Sequence, residues 1–232
     1  MRIRKDGENT RQKILQAACV VFGEKGYRGA THEEICRLAH VNTAAINYHF
    51  GSKEALYAAT WDYLATQMDE LYPIDGGVPL NAPADVRLEG NVRSLLLRKA
   101  DRGELSNFHR IRMREIMNPT GILDHAIASW MQKMRTYTRS VIQELLGPKA
   151  TNEYVELCEM SLISQCFMAQ GPPWKKRKHA LWKFDEKDTE RLTQHIVQFS
   201  LAGIAEIRRR LESETTGTRL QEPLTGDPHD AH

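Results

Sequence analysis

Apolar residues along this chain recur at spacings of three and four, and no β-branched alternating run of convincing length occurs, which predicts an all-α protein. Ile14, Ala17, Ala18, Val21 and Phe22 fall on one face of a first helix, with Asn9 or Thr10 as its cap and an end near Gly26. A second helix opens on Thr31-His-Glu-Glu34, the spacing of a capping box, and stops by Ala39. After His40-Val41-Asn42 a third helix of two turns runs to Phe50, and Ser52 caps a fourth. The Gly- and Pro-rich stretch at 73–83 reads as a loop or linker. Beyond it the pattern predicts helices near 84–101, 104–117, 121–146, 151–169 and 186–212. The residues at 213–232 lose periodicity and are expected to be disordered.

Composition narrows the class without naming a function. Hydrophobic content of 41% and charged content of 27% are ordinary for a soluble globular protein. No apolar run approaches the roughly 18 residues of a membrane helix. The charged start, MRIRKDGENT, lacks the apolar core of a secretory signal, so the expected compartment is the cytoplasm, with no membrane partner. Cys19, Cys36, Cys158 and Cys166 show no C-x-x-C spacing and lie in apolar-periodic segments, where small core residues are the better reading than metal or redox work. A metal site joining His195 to Cys158 or Cys166 is conceivable, but apolar filling is favoured, and no cofactor is called for. The net charge of +2 is uneven: through Leu56, nine Lys/Arg stand against six Asp/Glu.

Three short helices, with a tight turn between the second and third, describe a helix-turn-helix. Ile46 and Phe50 share a face of the third helix and should anchor it on the apolar stripe of the first. The opposite face begins with Thr43, Ala44 and Ala45, small enough to let a helix reach base edges in a major groove. Asn47 suits a bidentate contact to adenine. Tyr48, His49, Lys53 and the capped helix start at Thr31 and His32 suit phosphate oxygens. Singly, Tyr48, His49 and Lys53 are better explained as surface or solvated side chains; together, at these spacings, the residues point to DNA.

The run LQAACVVFGEKGYRGATHEEICRLAHVNTAAINYHFGSKEALY resembles the N-terminal domain of the TetR family of bacterial transcriptional regulators. Phe22, Gly26, Tyr27, Thr31, Ile35, Ala39, Val41, Ile46, Tyr48, His49, Phe50, Lys53 and Leu56 carry the match. Two positions depart from it: His40 stands where the turn usually has Gly, and Glu33-Glu34 stand where many members have basic or neutral residues. The resemblance implies a DNA-binding domain at 1–56, a helical ligand-binding and dimerisation domain at 57–212 and a tail at 213–232. It also implies a double-stranded operator, a small-molecule effector and a second copy of the chain as partners. Two further runs, FHRIRMREIMNPTGILDH and WKFDEKDTERL, look like the CecR (YbiH-like) subgroup.

In the first of those runs, charges alternate with Phe108, Ile111, Met113 and Ile116, so at least one arginine should point inward. Arg114 and Glu115 are the residues selected for contact with an anionic or polar effector; an internal salt bridge or a solvated face explains them equally well. Met113, Trp130, Met134 and Tyr137 are candidate pocket walls, against plain core packing. Leu157, Ser161, Leu162 and Gln165, with His195, Ile196, Phe199 and Gly203, form stripes suited to a two-fold four-helix interface. Lys175-Lys-Arg-Lys178 reads as a solvated loop.

The chain carries no Gly-rich phosphate loop, no H-E-x-x-H and no G-x-S-x-G, which argues against an enzyme. The leading expectation is a homodimeric regulator, a repressor, that binds a near-palindromic operator and is released by its effector. The alternative is a helical interaction protein that keeps the module but has lost sequence-specific DNA binding.

Overall fold

The computed structural model describes residues 2–169 and 186–218, and every regular element within them is helical. The helices are α1 (Arg2–Gly29), α2 (His32–Ala39), α3 (Ala44–Phe50), α4 (Lys53–Leu71), α5 (Ala84–Ala100), α6 (Ser106–Met117), α7 (Asp124–Leu146) and α8 (Asn152–Ala169). A 3-10 turn at Glu186–Asp188 then leads into α9 (Thr189–Thr218). Most ends fall within a few residues of the periodic pattern. Helix α1 differs: it starts at Arg2, well before the expected cap, because nothing in residues 2–8 forbids helix except one glycine. Gly26, with φ 71° and ψ 175°, leaves the helical region where the pattern expects the helix to end, and one short turn follows across this kink to Gly29. Helix α9 extends to Thr218, into the expected tail. Residues 219–232 and the basic run at 175–178 lie outside the described residues.

The largest core is shared by the helix-turn-helix and the bundle. Ile14, Ala18 and Phe22 of α1, Ile35 of α2 and Ile46 of α3 pack in one cluster with Tyr57, Trp61 and Leu64 of α4 and Phe108 and Ile111 of α6. Packing therefore passes through Leu56 without interruption. The Phe22 ring meets Tyr57 edge-on at 4.7 Å, and Trp61 stacks on Phe108 at 4.6 Å. Such aromatic pairs add roughly 0.5–1.5 kcal/mol each beyond area burial. A second core joins α5, α7, α8 and α9 through Leu88, Val92, Leu96, Val141, Leu162 and Ile196.

The loop at 73–83 is pinned, not loose. Gly76 (φ 65°) and Gly90 approach so closely that a Cβ built on Gly76 would lie 2.4 Å from the Gly90 carbonyl oxygen. Asn91, wholly buried on α5, donates to the Ile74 carbonyl at 2.9 Å and accepts from the Thr138 hydroxyl at 3.0 Å. This loop and α5 are thereby fixed as one rigid piece beside the space that α5 and α6 enclose with α7 and α8.

Candidate nucleic-acid interface and ligand cavity

The second and third helices are set by local chemistry. Thr31 accepts from the Glu34 amide at 3.2 Å while Glu34 accepts from the Thr31 amide at 3.3 Å, completing the capping box. Glu34 also takes an ion pair from Lys25, which lowers its carboxyl pKa. His40 ends α2 in the left-handed region (φ 55°, ψ 44°), the conformation for which glycine is usually used. Asn42 caps α3: its side-chain oxygen accepts from the Ala45 amide at 3.0 Å, so the Thr43 hydroxyl makes no capping bond.

Ile46 is wholly buried and Phe50 packs half-buried against the same core, with the Arg11 guanidinium 5.0 Å from its ring centroid. That docking turns Thr43, Ala44, Asn47 and Tyr48 outward; Tyr48 is 84% exposed. Ala45 is half-buried on the core side, and the half-buried His49 stands edge-on to Tyr48 at 4.9 Å. Thr31 is exposed, and because its oxygen serves as a cap acceptor its O–H remains a donor. His32 is half-buried, with its Nε2 enclosed and unbonded. Lys53 lies over the Tyr27 ring at 4.6 Å, and Tyr27 donates to Glu54, which pushes its phenol up to about 12. Glu33 is exposed.

A cavity of about 800 Å³ opens between α5, α6, α7 and α8. Met113, Trp130 and Met134 line it, whereas Arg114, Glu115 and Tyr137 do not. Helical geometry explains the division. Phe108 and Ile111 turn into the core, so Glu115, four residues after Ile111, follows them inward. There it accepts from the Tyr57 hydroxyl at 2.7 Å and from the Thr120 amide at 3.0 Å. Arg114 projects the other way, against the Gly26 kink, and donates to the Glu24 carbonyl at 2.5 Å. Tyr137 packs against the second core.

The inward arginine is Arg112, which shares the cavity wall with His109, one turn earlier, and with Arg98 and Lys99 of α5. Arg98 is 3% exposed, donates to the Tyr72 carbonyl at 2.8 Å and sits 2.9 Å from Asp69. The Arg98 and Arg112 guanidiniums lie 5.7 and 5.8 Å from the Trp130 ring centroid. Burial and neighbouring cations hold Lys99 down to about 8 and His109 down to about 4, so His109 is neutral at pH 7. Sequence reasoning missed Arg98 and Lys99, whose burial follows from the Leu95-Leu96-Leu97 run just before them. Arg112 lies four residues after Phe108 on the same side of α6, a relation that selects it only once Phe108 is known to pack inward.

On α8 and α9, Leu157, Ser161, His195, Phe199 and Gly203 are exposed and Gln165 is half-buried. Leu162 and Ile196, expected at a subunit interface, are buried in the subunit's own second core. All four cysteines are buried thiols, and no cluster of three metal-ligating side chains occurs among the described residues. No helix among them is long and apolar enough to cross a membrane.

Comparison with known proteins accounts for both halves. The family of bacterial regulatory proteins called tetR matches residues 14–60, and the C-terminal domain of the HTH-type transcriptional dual regulator CecR matches residues 84–204. The chain belongs to the TetR family. Its C-terminal half is of the CecR type, and the family is one of transcriptional regulators, not enzymes. CecR of Shigella flexneri is 26% identical over 199 residues, covering 82% of this chain and 89% of CecR. The transcriptional repressor NicS of Pseudomonas putida (strain KT2440) is 36% identical over 76 residues, 30% of this chain and 36% of NicS. Among solved structures, AibR in complex with isovaleryl coenzyme A and operator DNA shares the fold with a TM-score of 0.60 at 17% identity, covering 82% of this chain and 97% of AibR. A TetR-family regulator from Mesorhizobium loti gives 0.57 at 20% identity, covering 84% and 96%.

Proposed function

We propose that this TetR-family regulator is a cytoplasmic homodimeric repressor whose α3 reads a near-palindromic operator and whose α5–α8 cavity takes a small-molecule effector that releases it. The observation that carries the reading is the division of α3: Ile46 and Phe50 hold it to the core while Thr43, Ala44, Asn47 and Tyr48 face outward in register. Residues 1–56 form the DNA-binding domain and 57–212 the sensing and dimerisation domain. Ala45 and His49 flank the reading face, while Thr31, His32 and Lys53 lie where phosphates pass.

The exposed Leu157 and Phe199, with Ser161, Gln165, His195 and Gly203 between them, support a two-fold contact through α8 and α9. A dimer places its recognition helices one DNA turn apart, about 34–36 Å, so a small rotation disengages them. Arg114 reaches the Gly26 kink of α1 and Glu115 accepts from Tyr57 of α4, so α6, which also lines the cavity, touches both of the helices that join the helix-turn-helix to the bundle. The alternative of an interaction protein without DNA binding drew on His40 and Glu33. His40 adopts the left-handed turn that glycine usually supplies, which removes the first reason.

Fluorescence anisotropy with the chain's own promoter region tests the proposal. Affinity should exceed that for random DNA by at least about a thousandfold and fall steeply with salt. Equal affinity for the two DNAs would sink it.

A further inference from the structure

The cavity wall contains more positive charge than the described residues neutralise. Every carboxylate on it is engaged: Glu159 accepts both arms of Arg135 at 2.9 and 3.0 Å, and Glu156 pairs with Arg139 at 2.9 Å. Asp69, behind Trp130, is shared between Arg98 and the indole N–H at 3.3 Å. Lys99 and Arg112 therefore make no ion pair among the described residues. The Arg112 Nε is enclosed without a hydrogen-bond partner among the described residues, and the Lys99 ammonium rests on the Phe167 ring at 4.4 Å. Two desolvated cations without a counter-charge are costly to keep, unless something that enters the cavity supplies it.

We infer that the effector is an amphipathic anion, a carboxylate held between Lys99 and Arg112 with an apolar body lying along Met113, Met131, Met134 and Met160. The inference rests on reading the cavity as the effector site. A guanidinium offers a planar fork that matches a carboxylate bidentately, and the ammonium adds a point charge beside it. The methionines supply polarisable, unbranched walls that conform to differing apolar shapes, so charge selects the ligand class and the body is tolerated broadly. A cationic ligand finds no free carboxylate among the described residues of the wall, since Glu156, Glu159 and Asp69 are all taken. His109, neutral and bonded to the Arg98 carbonyl at 2.6 Å, and Cys166, whose thiol is pushed up to about 12, add no charge at neutral pH.

The test uses the full chain with 8-anilinonaphthalene-1-sulfonate as a fluorescent anionic reporter. Decanoate, decanol and decyltrimethylammonium serve as competitors, on wild type, Lys99→Met, Arg112→Met and the double variant. Decanoate should displace the reporter at least about tenfold more tightly than decanol, and the cation should not compete. Each substitution should weaken decanoate about tenfold, the size of one lost charge-assisted hydrogen bond, and the double variant should bind decanoate and decanol alike. Unliganded variants should melt no lower than wild type, because an unpaired charge has been removed from a buried site. Arg112→Lys, which keeps the charge, should retain part of the preference for decanoate. Equal competition by decanoate and decanol on wild type, or undiminished decanoate binding by the double variant, overturns the assignment. Operator DNA provides the separating measurement. Decanoate that binds as expected yet leaves the operator complex intact overturns the effector reading and leaves the anion site standing.

Discussion

The helix-turn-helix and the α5–α8 cavity dispose of polar groups in opposite ways. In the first, caps and buried apolar anchors satisfy the backbone locally, and the remaining polar side chains, Thr43, Asn47 and Tyr48 among them, stand in water. In the second, Lys99, Arg112 and the neutral His109 are drawn out of water around an open space. In the proposed function the first surface meets a polyanion of regular repeat. The second holds strain in the form of desolvated charge, which a ligand of the right sign relieves.

The contrast breaks if the two regions prove to be independent folding units, and the shared core predicts they are not. Trp61→Ala, which removes a buried indole stacked on Phe108, should lower stability by about 3–5 kcal/mol and shift the unfolding of both regions together in urea. Two separate transitions, with the helix-turn-helix unaffected, would contradict a common core.

A smaller effect sharpens the cavity side. His109 is held at about 4 against an ordinary value near 6.5, so the unfolded chain binds more protons between those limits. Its contribution is complete above pH 6.5 and is lost as pH falls toward 4. Lowering the pH from 7.5 to 5 should cost wild type about 2 kcal/mol more than His109→Gln, read as the difference between their urea midpoints at each pH. Parallel pH profiles for the two proteins would show that His109 is not kept neutral by its surroundings.

The junction between the regions comes next. Tyr57→Phe deletes the donor that meets Glu115 at 2.7 Å and leaves a buried carboxylate short of one partner, at about 1–3 kcal/mol. Because Glu115 lies on α6, the same variant should also alter effector-driven release without changing affinity for unliganded operator. Tyr48→Ala should do the reverse: operator affinity about tenfold weaker, with an unchanged melting temperature, since its ring is mostly in water. The smallest change expected is in His40→Gly, where relief of a left-handed non-glycine residue is partly offset by a more flexible unfolded chain. A gain of about 0.5–1 kcal/mol should appear as a modest rise in melting temperature.

How far the sequence could be read differs between the same two regions. The capping box at Thr31 and Glu34, the anchor pair Ile46 and Phe50 and the break at Gly51-Ser52 were legible because each depends on residues within four positions of one another. The all-helical class and the positions of the later helices followed from periodicity alone, to within a few residues apart from the end of α9. The cavity was not legible in the same way. Met113, Trp130 and Met134 were picked out as apolar, but which of Arg110, Arg112 and Arg114 turns inward depends on how α6 is rotated against α4 and α5. That rotation is set by Phe108 and Ile111 meeting Trp61 and its neighbours, fifty residues away in the chain. The same holds for Leu162 and Ile196, whose stripe was read correctly as apolar but whose side of the helix only packing could assign. Sequence by itself determined the elements, their caps and the recognition module, since these are contests between neighbouring residues for backbone hydrogen bonds. Tertiary structure alone decided which charges are buried and left unpaired, because burial is a property of surfaces brought together from four helices, and no single helix carries it.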